Sequence, residues 1–206
     1  PYQMWRDPLR RLVLGMGQVS DGLAGVLKAI VPDVDALLER DIPPAPPMEG
    51  DARRERLDDA IVQVFADQQQ PVLLLLEDVH WSSDDDGMRA LKLLLMRLPS
   101  LPLMIIASYR SDEAPDLPAD LPAMQHRMLT RLDADSITRL LGTMIGSAPR
   151  SLTERLIAHT EGNAFFLVET LRDAASRYGT LDAIATHGLP DDLLTGGIAA
   201  LMQRPV

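Results

Sequence analysis

Apolar and polar positions alternate with a helical period over the first third of the chain. Between Met4 and Leu14, the residues Met4, Leu9, Leu12 and Val13 fall on one helical face, and Leu23 to Ile30 reads as a second helix. Residues 41–49 then hold Ile42 followed by Pro43, Pro44, Pro46 and Pro47, which cannot continue a helix and favour an extended surface crossover. From Arg53 to Gln68, Leu57, Ile61, Val64 and Phe65 follow the i, i+4, i+7, i+8 spacing of an amphipathic helix, and Pro71 stops it.

The period then disappears. Val72 to Leu76 is apolar without alternation, as expected of a strand buried on both faces of a parallel sheet. A helix over Asp85 to Leu98 turns Met88, Leu91, Leu94, Leu95 and Leu98 inward and ends at Pro99 and Pro102, and Leu103 to Ser108 is a second apolar strand. Strand, helix and strand with a short return make a βαβ unit, so the sheet is expected to be parallel. Residues 112–122, rich in Asp and Pro, read as a loop, and His126 to Leu132 as a third short strand. The last third is helical. Ile137, Leu140, Leu141 and Met144 form one stripe, Ser151 and Glu154 make a capping box, and Gly162 closes that helix. Another helix starts at Asn163 or Ala164 and runs to Tyr178, with Gly179 as its stop. The expected division is an α/β part over 1–132 and a helical part over 133–206.

Composition removes several classes of function. The chain has 206 residues and a formal charge of −10, which argues against direct contact with a nucleic-acid backbone, because phosphate neutralisation needs clustered Lys and Arg. It has no cysteine, so a disulfide framework or a Cys-based zinc site is impossible, and its four histidines lack ligand spacing. A reducing cytoplasm is the expected compartment. No apolar run approaches the roughly 20 residues of a membrane span. The chain opens at Pro1 without an initiator Met, and a processed or cut end is expected there.

The candidate chemistry lies in Leu73 to Trp81, LLLLEDVHW. Glu77 and Asp78 follow the apolar run at the carboxyl end of a parallel strand, where open α/β sheets bind ligands. In nucleotide hydrolysis the first acid would hold Mg²⁺ through its water shell and the second would orient the attacking water. The bland alternative is a strand that ends in solvated acids. The next strand, in LPLMIIASYR, ends in Ser108 and Arg110, so a cation would face the same crevice. Arg110 suits a terminal phosphate. The lesser alternative is a surface pair with Asp112 or Glu113. Trp81 reads as a packing residue, as do Phe165, Phe166 and Leu167, and His126, His159 and His187 stand singly.

Taken in order, PVLLLLEDVHWSSDD, LPLMIIASYRSDE, LTRLDADSITRLL and LTERLIAHTEGNAFFLVETLR resemble the ATPase module of the STAND class of signal-transducing P-loop ATPases. These AAA+-like modules occur in large bacterial regulators beside LuxR-type DNA-binding, cyclase or Ser/Thr kinase domains. The resemblance implies a partial P-loop NTPase core over 1–132 and an α-helical lid over 133–206. It makes Glu77 and Asp78 the Walker B acids, with Glu77 toward the metal, and Arg110 the sensor 1 residue. It places Gly162, Asn163 and Ala164 at the lid motif that contacts adenine. It also implies ATP or ADP and Mg²⁺ as cofactors of the full-length protein, other domains of the same polypeptide as partners, and a homo-oligomer as an option.

Two departures stand out. The lid motif usually has Pro at its third position, where this chain has Ala164, and no GxxxxGK[ST] occurs anywhere. Gly15 and Gly17 mark a helix end, with no lysine after them. The chain is therefore expected to begin just after the phosphate loop and, alone, to bind ATP weakly or carry no cofactor. The strand ending at Ser108 would then lack a neighbour, so a gap or a substitute strand is expected. Three readings remain: a nucleotide-dependent switch, a non-enzymatic scaffold or oligomerisation module on a degenerate P-loop fold, and an unrelated α/β domain that binds cations.

Overall fold

The computed structural model describes residues 1–82, 85–146, 148–180 and 182–189. The chain divides into two compact units, Pro1–His126 and Arg127–Val206. The end of the expected lid, 190–206, lies outside the described residues. The protein is mixed α/β, with mostly helices and one two-stranded parallel sheet.

The first unit begins with α1, Gln3–Gly15, whose Trp5, Leu9 and Val13 are buried, and α2, Asp21–Leu27, capped by the Ser20 side chain. The short α3, Val34–Leu37, has no counterpart in the sequence reading. Residues 41–49 are extended as the prolines require, and the segment is tied down. Ile42 is buried, and its N–H donates to Asp35 Oδ1 at 2.7 Å. Lys28 pairs with the same carboxylate at 2.8 Å, and this hydrogen bond holds the half-buried Asp35 carboxyl below the usual carboxylate range. Gly25 lets the segment approach α2, because a Cβ there would meet Pro43 O at 2.6 Å.

α4, Gly50–Ala66, buries Leu57, Ile61, Val64 and Phe65 as their spacing dictates. β1, Val72–Leu76, follows; α5, Asp85–Arg97, presents Leu91, Leu94 and Leu95 to the core, and β2, Leu103–Ala107, returns. The strands pair in parallel, Val72 with Leu103 through Leu76 with Ala107. The βαβ unit stands as the sequence implies.

Burial on both faces does not. Leu74 and Leu76 are buried, but Leu73 and Leu75 are 56% and 59% exposed, and Met104 and Ile106 on β2 are 61% and 47% exposed. The reason is the layer count. Helices of this unit cover one face of a two-stranded sheet, and no described element of the unit covers the other.

Residues 126–132 form no strand, which corrects the sequence reading; the segment belongs mostly to the second unit, where Leu132 N–H donates to Gly162 O at 2.8 Å. One backbone bond of this kind does not make a ladder. Within 112–122, Leu117–Asp120 winds into the short helix α6 instead of staying irregular. In the second unit, α7 spans Ala134–Ile145, α8 Arg150–Thr160, α9 Ala164–Tyr178 and α10 Asp182–His187. Ile137, Leu141, Leu156, Leu167, Leu171 and Ile184 form their core, with Leu140 and Met144 packed against it. The capping box is not realised: Pro149 occupies the N-cap, Ser151 lies inside α8, and Glu154 pairs with Arg150 at 2.9 Å. No helix among the described residues is long and apolar enough to cross a membrane.

Candidate functional site at the carboxyl ends of the strands

The backbone leaves β1 at Glu77 and turns sharply at Asp78, whose φ of 51° lies in the left-handed region that a short acidic side chain tolerates. That turn starts a 3-10 helix, Val79–Trp81. It is fixed to the end of β2 by three hydrogen bonds. Ser108 N–H donates to Leu76 O at 2.9 Å, Val79 N–H donates to Ser108 O at 3.0 Å, and Asp78 N–H donates to Ser108 Oγ at 3.2 Å. Ser108 therefore holds the acid pair at the strand end.

Glu77 is exposed, and its carboxylate makes no hydrogen bond or ion pair among the described residues. Arg110 is differently placed. Its guanidinium lies 2.6 Å from Glu113 Oε1 and 3.3 Å from Asp112 Oδ2, so of the two roles its sequence allows, the surface pairing is the one observed.

The group that organises this end of the sheet is one that the sequence marks only as a salt-bridge candidate. Glu113 sits on a turn in which its N–H and that of Ala114 both donate to Arg110 O. Besides Arg110, its carboxylate accepts the Trp81 indole N–H at 3.1 Å, and His80 Nε2 lies 3.3 Å from Oε2. The geometry of that last approach is off-line, and the buried Nε2 makes no hydrogen bond among the described residues. Nδ1 of His80 accepts Arg110 N–H at 3.3 Å, which leaves Nε2 as the ring's donor nitrogen. Trp81 is thus no packing residue. It is 67% exposed and oriented by Glu113, with the His80 ring 5.3 Å from its own. The i, i+3 spacing of Arg110 and Glu113 was the only signal in the sequence.

The other candidates lie in the second unit. Gly162 has φ 78°, and a Cβ there would stand 2.3 Å from Leu132 O. Asn163 caps α9, accepting the N–H groups of Phe165 and Phe166 at 3.0 and 3.4 Å. Ala164 is the first residue of that helix. Gly162 and Asn163 each have a structural duty that explains their identity without a ligand. Phe166 and Leu167 pack in the core, but Phe165 is 59% exposed, which corrects its reading as a packing residue: at the start of α9 it faces away from the core stripe.

Two further features of the first unit bear on chemistry. Asp58 is buried between the Tyr2 hydroxyl and Arg89, each at 2.9 Å, and Arg89 also donates to Tyr2 at 2.9 Å. Burial pushes the Asp58 carboxyl up, and Tyr2 and Arg89 pull it part of the way back. The Tyr2 hydroxyl is pushed upward by burial and then by Asp58. The three side chains bond one another, which ties the residue before α1 to α4 and α5, although the buried Arg89 Nε is left without a hydrogen-bond partner among the described residues. A cavity of about 430 Å³ lies between α2 and α4, lined by Leu23, Val26, Met48, Ala60 and Gln63 among others. None of Glu77, Asp78 and Arg110 lines it. No group of three or more acidic or histidine side chains among the described residues is placed to hold a metal. Comparison with protein-family models, with curated proteins and with solved structures returned no match.

Proposed function

We propose that this chain is the Walker B part of a nucleotide-dependent signalling ATPase, a switch of the STAND type whose phosphate loop comes from another segment of the same polypeptide. The observation that carries the reading is the end of the sheet. Two parallel strands deliver a carboxylate pair, Glu77 and Asp78, and a cationic residue, Arg110, to one edge, and Ser108 laces the two strand ends together. Ligands of open α/β sheets bind at that edge. The carboxylate of Glu77, unpaired among the described residues, fits a Mg²⁺ ion held mainly by phosphate oxygens and water, which asks one or two carboxylates of the protein. When bound, such an ion would neutralise charge on the phosphates. Asp78 would orient water, Arg110 would meet the terminal phosphate, and the turn at Gly162 to Ala164 would belong to the lid.

The bare face of Leu73, Leu75, Met104 and Ile106 supports the same reading, because an apolar parallel sheet with open edges calls for additional strands and covering helices. A scaffold or oligomerisation module on the same fold is the second reading, and the ion pairs that occupy Arg110 favour it.

The test is Asp78→Asn in a chain that carries the phosphate loop and hydrolyses ATP. Turnover should fall while ATP affinity holds, since the lost charge acts on water and not on adenine. Unchanged turnover would remove Asp78 from the mechanism.

A further inference from the structure

We propose that Glu113 is a built-in anion that occupies the phosphate-sensing donors of this chain and must be displaced when a phosphate-bearing ligand enters. The natural ligand's identity rests on the nucleotide reading, but the displacement itself rests on the donor set.

Three donor groups converge on this carboxylate: the Arg110 guanidinium at 2.6 Å, the Trp81 indole N–H at 3.1 Å and the His80 Nε2 at 3.3 Å. They come from the turn after β2 and from the 3-10 helix after β1, whose backbones are held by the strand ends and not by the Glu113 side chain. A planar carboxylate with two oxygens matches Arg110 and Trp81 well. It leaves the third donor without a bond: the His80 side chain is 2% exposed, and its Nε2 has no hydrogen-bond partner among the described residues. An anion with three peripheral oxygens, such as a phosphate group, has an acceptor for each. Buried donors left without a partner are rare, and a ligand is one of the reasons they persist.

The competitor is cheap to move. Glu113 and Arg110 are 38% and 56% exposed, so their pair contributes little net stability, and the turn that carries Glu113 is held by its backbone and not by its side chain. Displacement also has a reporter. Trp81 loses its acceptor when Glu113 leaves, whereas Trp5 is buried and donates to Gly87 O at 3.0 Å.

The test titrates inorganic tripolyphosphate, and separately Mg-ATP, into the 206-residue chain and its Glu113→Gln and Glu113→Ala variants, followed by tryptophan fluorescence and calorimetry. Circular dichroism confirms that each variant is folded, and the second variant serves if the first is not. Removing the competitor should tighten tripolyphosphate binding about fivefold, the size of one half-exposed ion pair. Arg110→Ala should abolish the gain, and Trp81→Phe should abolish the fluorescence change. Tighter binding of tripolyphosphate would support the displacement whether or not Mg-ATP is preferred, because the nucleotide reading is tested on the longer chain. Arg110-dependent binding of Mg-ATP that is equal in wild type and both variants would overturn the displacement and leave the nucleotide reading in place. Unchanged or weaker tripolyphosphate affinity in both folded variants would also overturn it.

Discussion

Substituting alanine for glycine at two positions of the second unit should move its stability in opposite directions. At Gly162 the backbone sits at φ 78°, and an added Cβ would lie 2.3 Å from Leu132 O and 3.2 Å from the Arg131 Cβ. The neighbours cannot swing aside as a flexible side chain would, because Leu132 N–H is itself bonded to Gly162 O at 2.8 Å. The left-handed conformation alone costs a non-glycine residue about 1–2 kcal/mol. Forcing 131–132 away from the α8–α9 corner adds a strain of the overpacking kind, about 1–3 kcal/mol. Gly162→Ala should therefore destabilise the unit by about 3 kcal/mol, lowering its Tm by roughly 15 °C for a unit of this size. Gly142 is the control. It lies inside α7, exposed, and a methyl group added there would find nothing within 4 Å, so Gly142→Ala should stabilise by about 0.5–1 kcal/mol. Thermal and urea unfolding followed by circular dichroism measure both. A Gly162→Ala protein as stable as wild type would refute the reasoning and return Gly162 to a purely ligand-binding role.

Two further outcomes follow from the same unit. Ala164 is the first residue of α9 and Asn163 before it is extended, at φ −74° and ψ 112°, so Ala164→Pro meets no conflict and should stabilise by about 0.5 kcal/mol in urea unfolding. Destabilisation would show that the corner is not the helix start described. Asp133 caps α7 through Ser136 N–H at 2.7 Å, and its hydrogen bonds with Ser136 hold its carboxyl below the usual carboxylate range. A depressed folded value means that the stabilisation is present above the unfolded value, near about 4, and is lost as pH falls through the folded one. The Tm advantage of wild type over Asp133→Ser should thus shrink as pH is lowered from about 5; an advantage that stays constant would contradict the assignment.

Much of this was legible in the residues. Leu57, Ile61, Val64 and Phe65 fix a helix by period, Pro71 ends it, and the unbroken runs Val72–Leu76 and Leu103–Ala107 give the strands and their parallel pairing. What such runs do not encode is whether a second layer is present to cover Leu73 and Leu75, because burial depends on what packs against a strand and not on the strand itself. The third strand failed for a similar reason: residues 126–132 have strand composition but no neighbouring strand among the described residues, and Leu132 is bonded to Gly162 instead. In the candidate site, the acid pair and Arg110 were legible from their places after the strands. The hub was not, since Glu113 meets His80 and Trp81 only through a turn whose shape the sequence does not announce. The Ser151 and Glu154 spacing suggested a cap, but Pro149 is better suited to begin α8, having no N–H to satisfy within the helix.

Calorimetric titration of Mg-ATP into the 206-residue chain, beside a longer chain carrying a phosphate-binding loop upstream of Pro1, tests the nucleotide-switch reading most directly. The account predicts tight binding to the longer chain alone, weakened by Arg110→Ala more for ATP than for ADP, because only ATP carries the terminal phosphate. Absence of binding to either chain, or equal losses for both nucleotides, would contradict it and leave the scaffold reading.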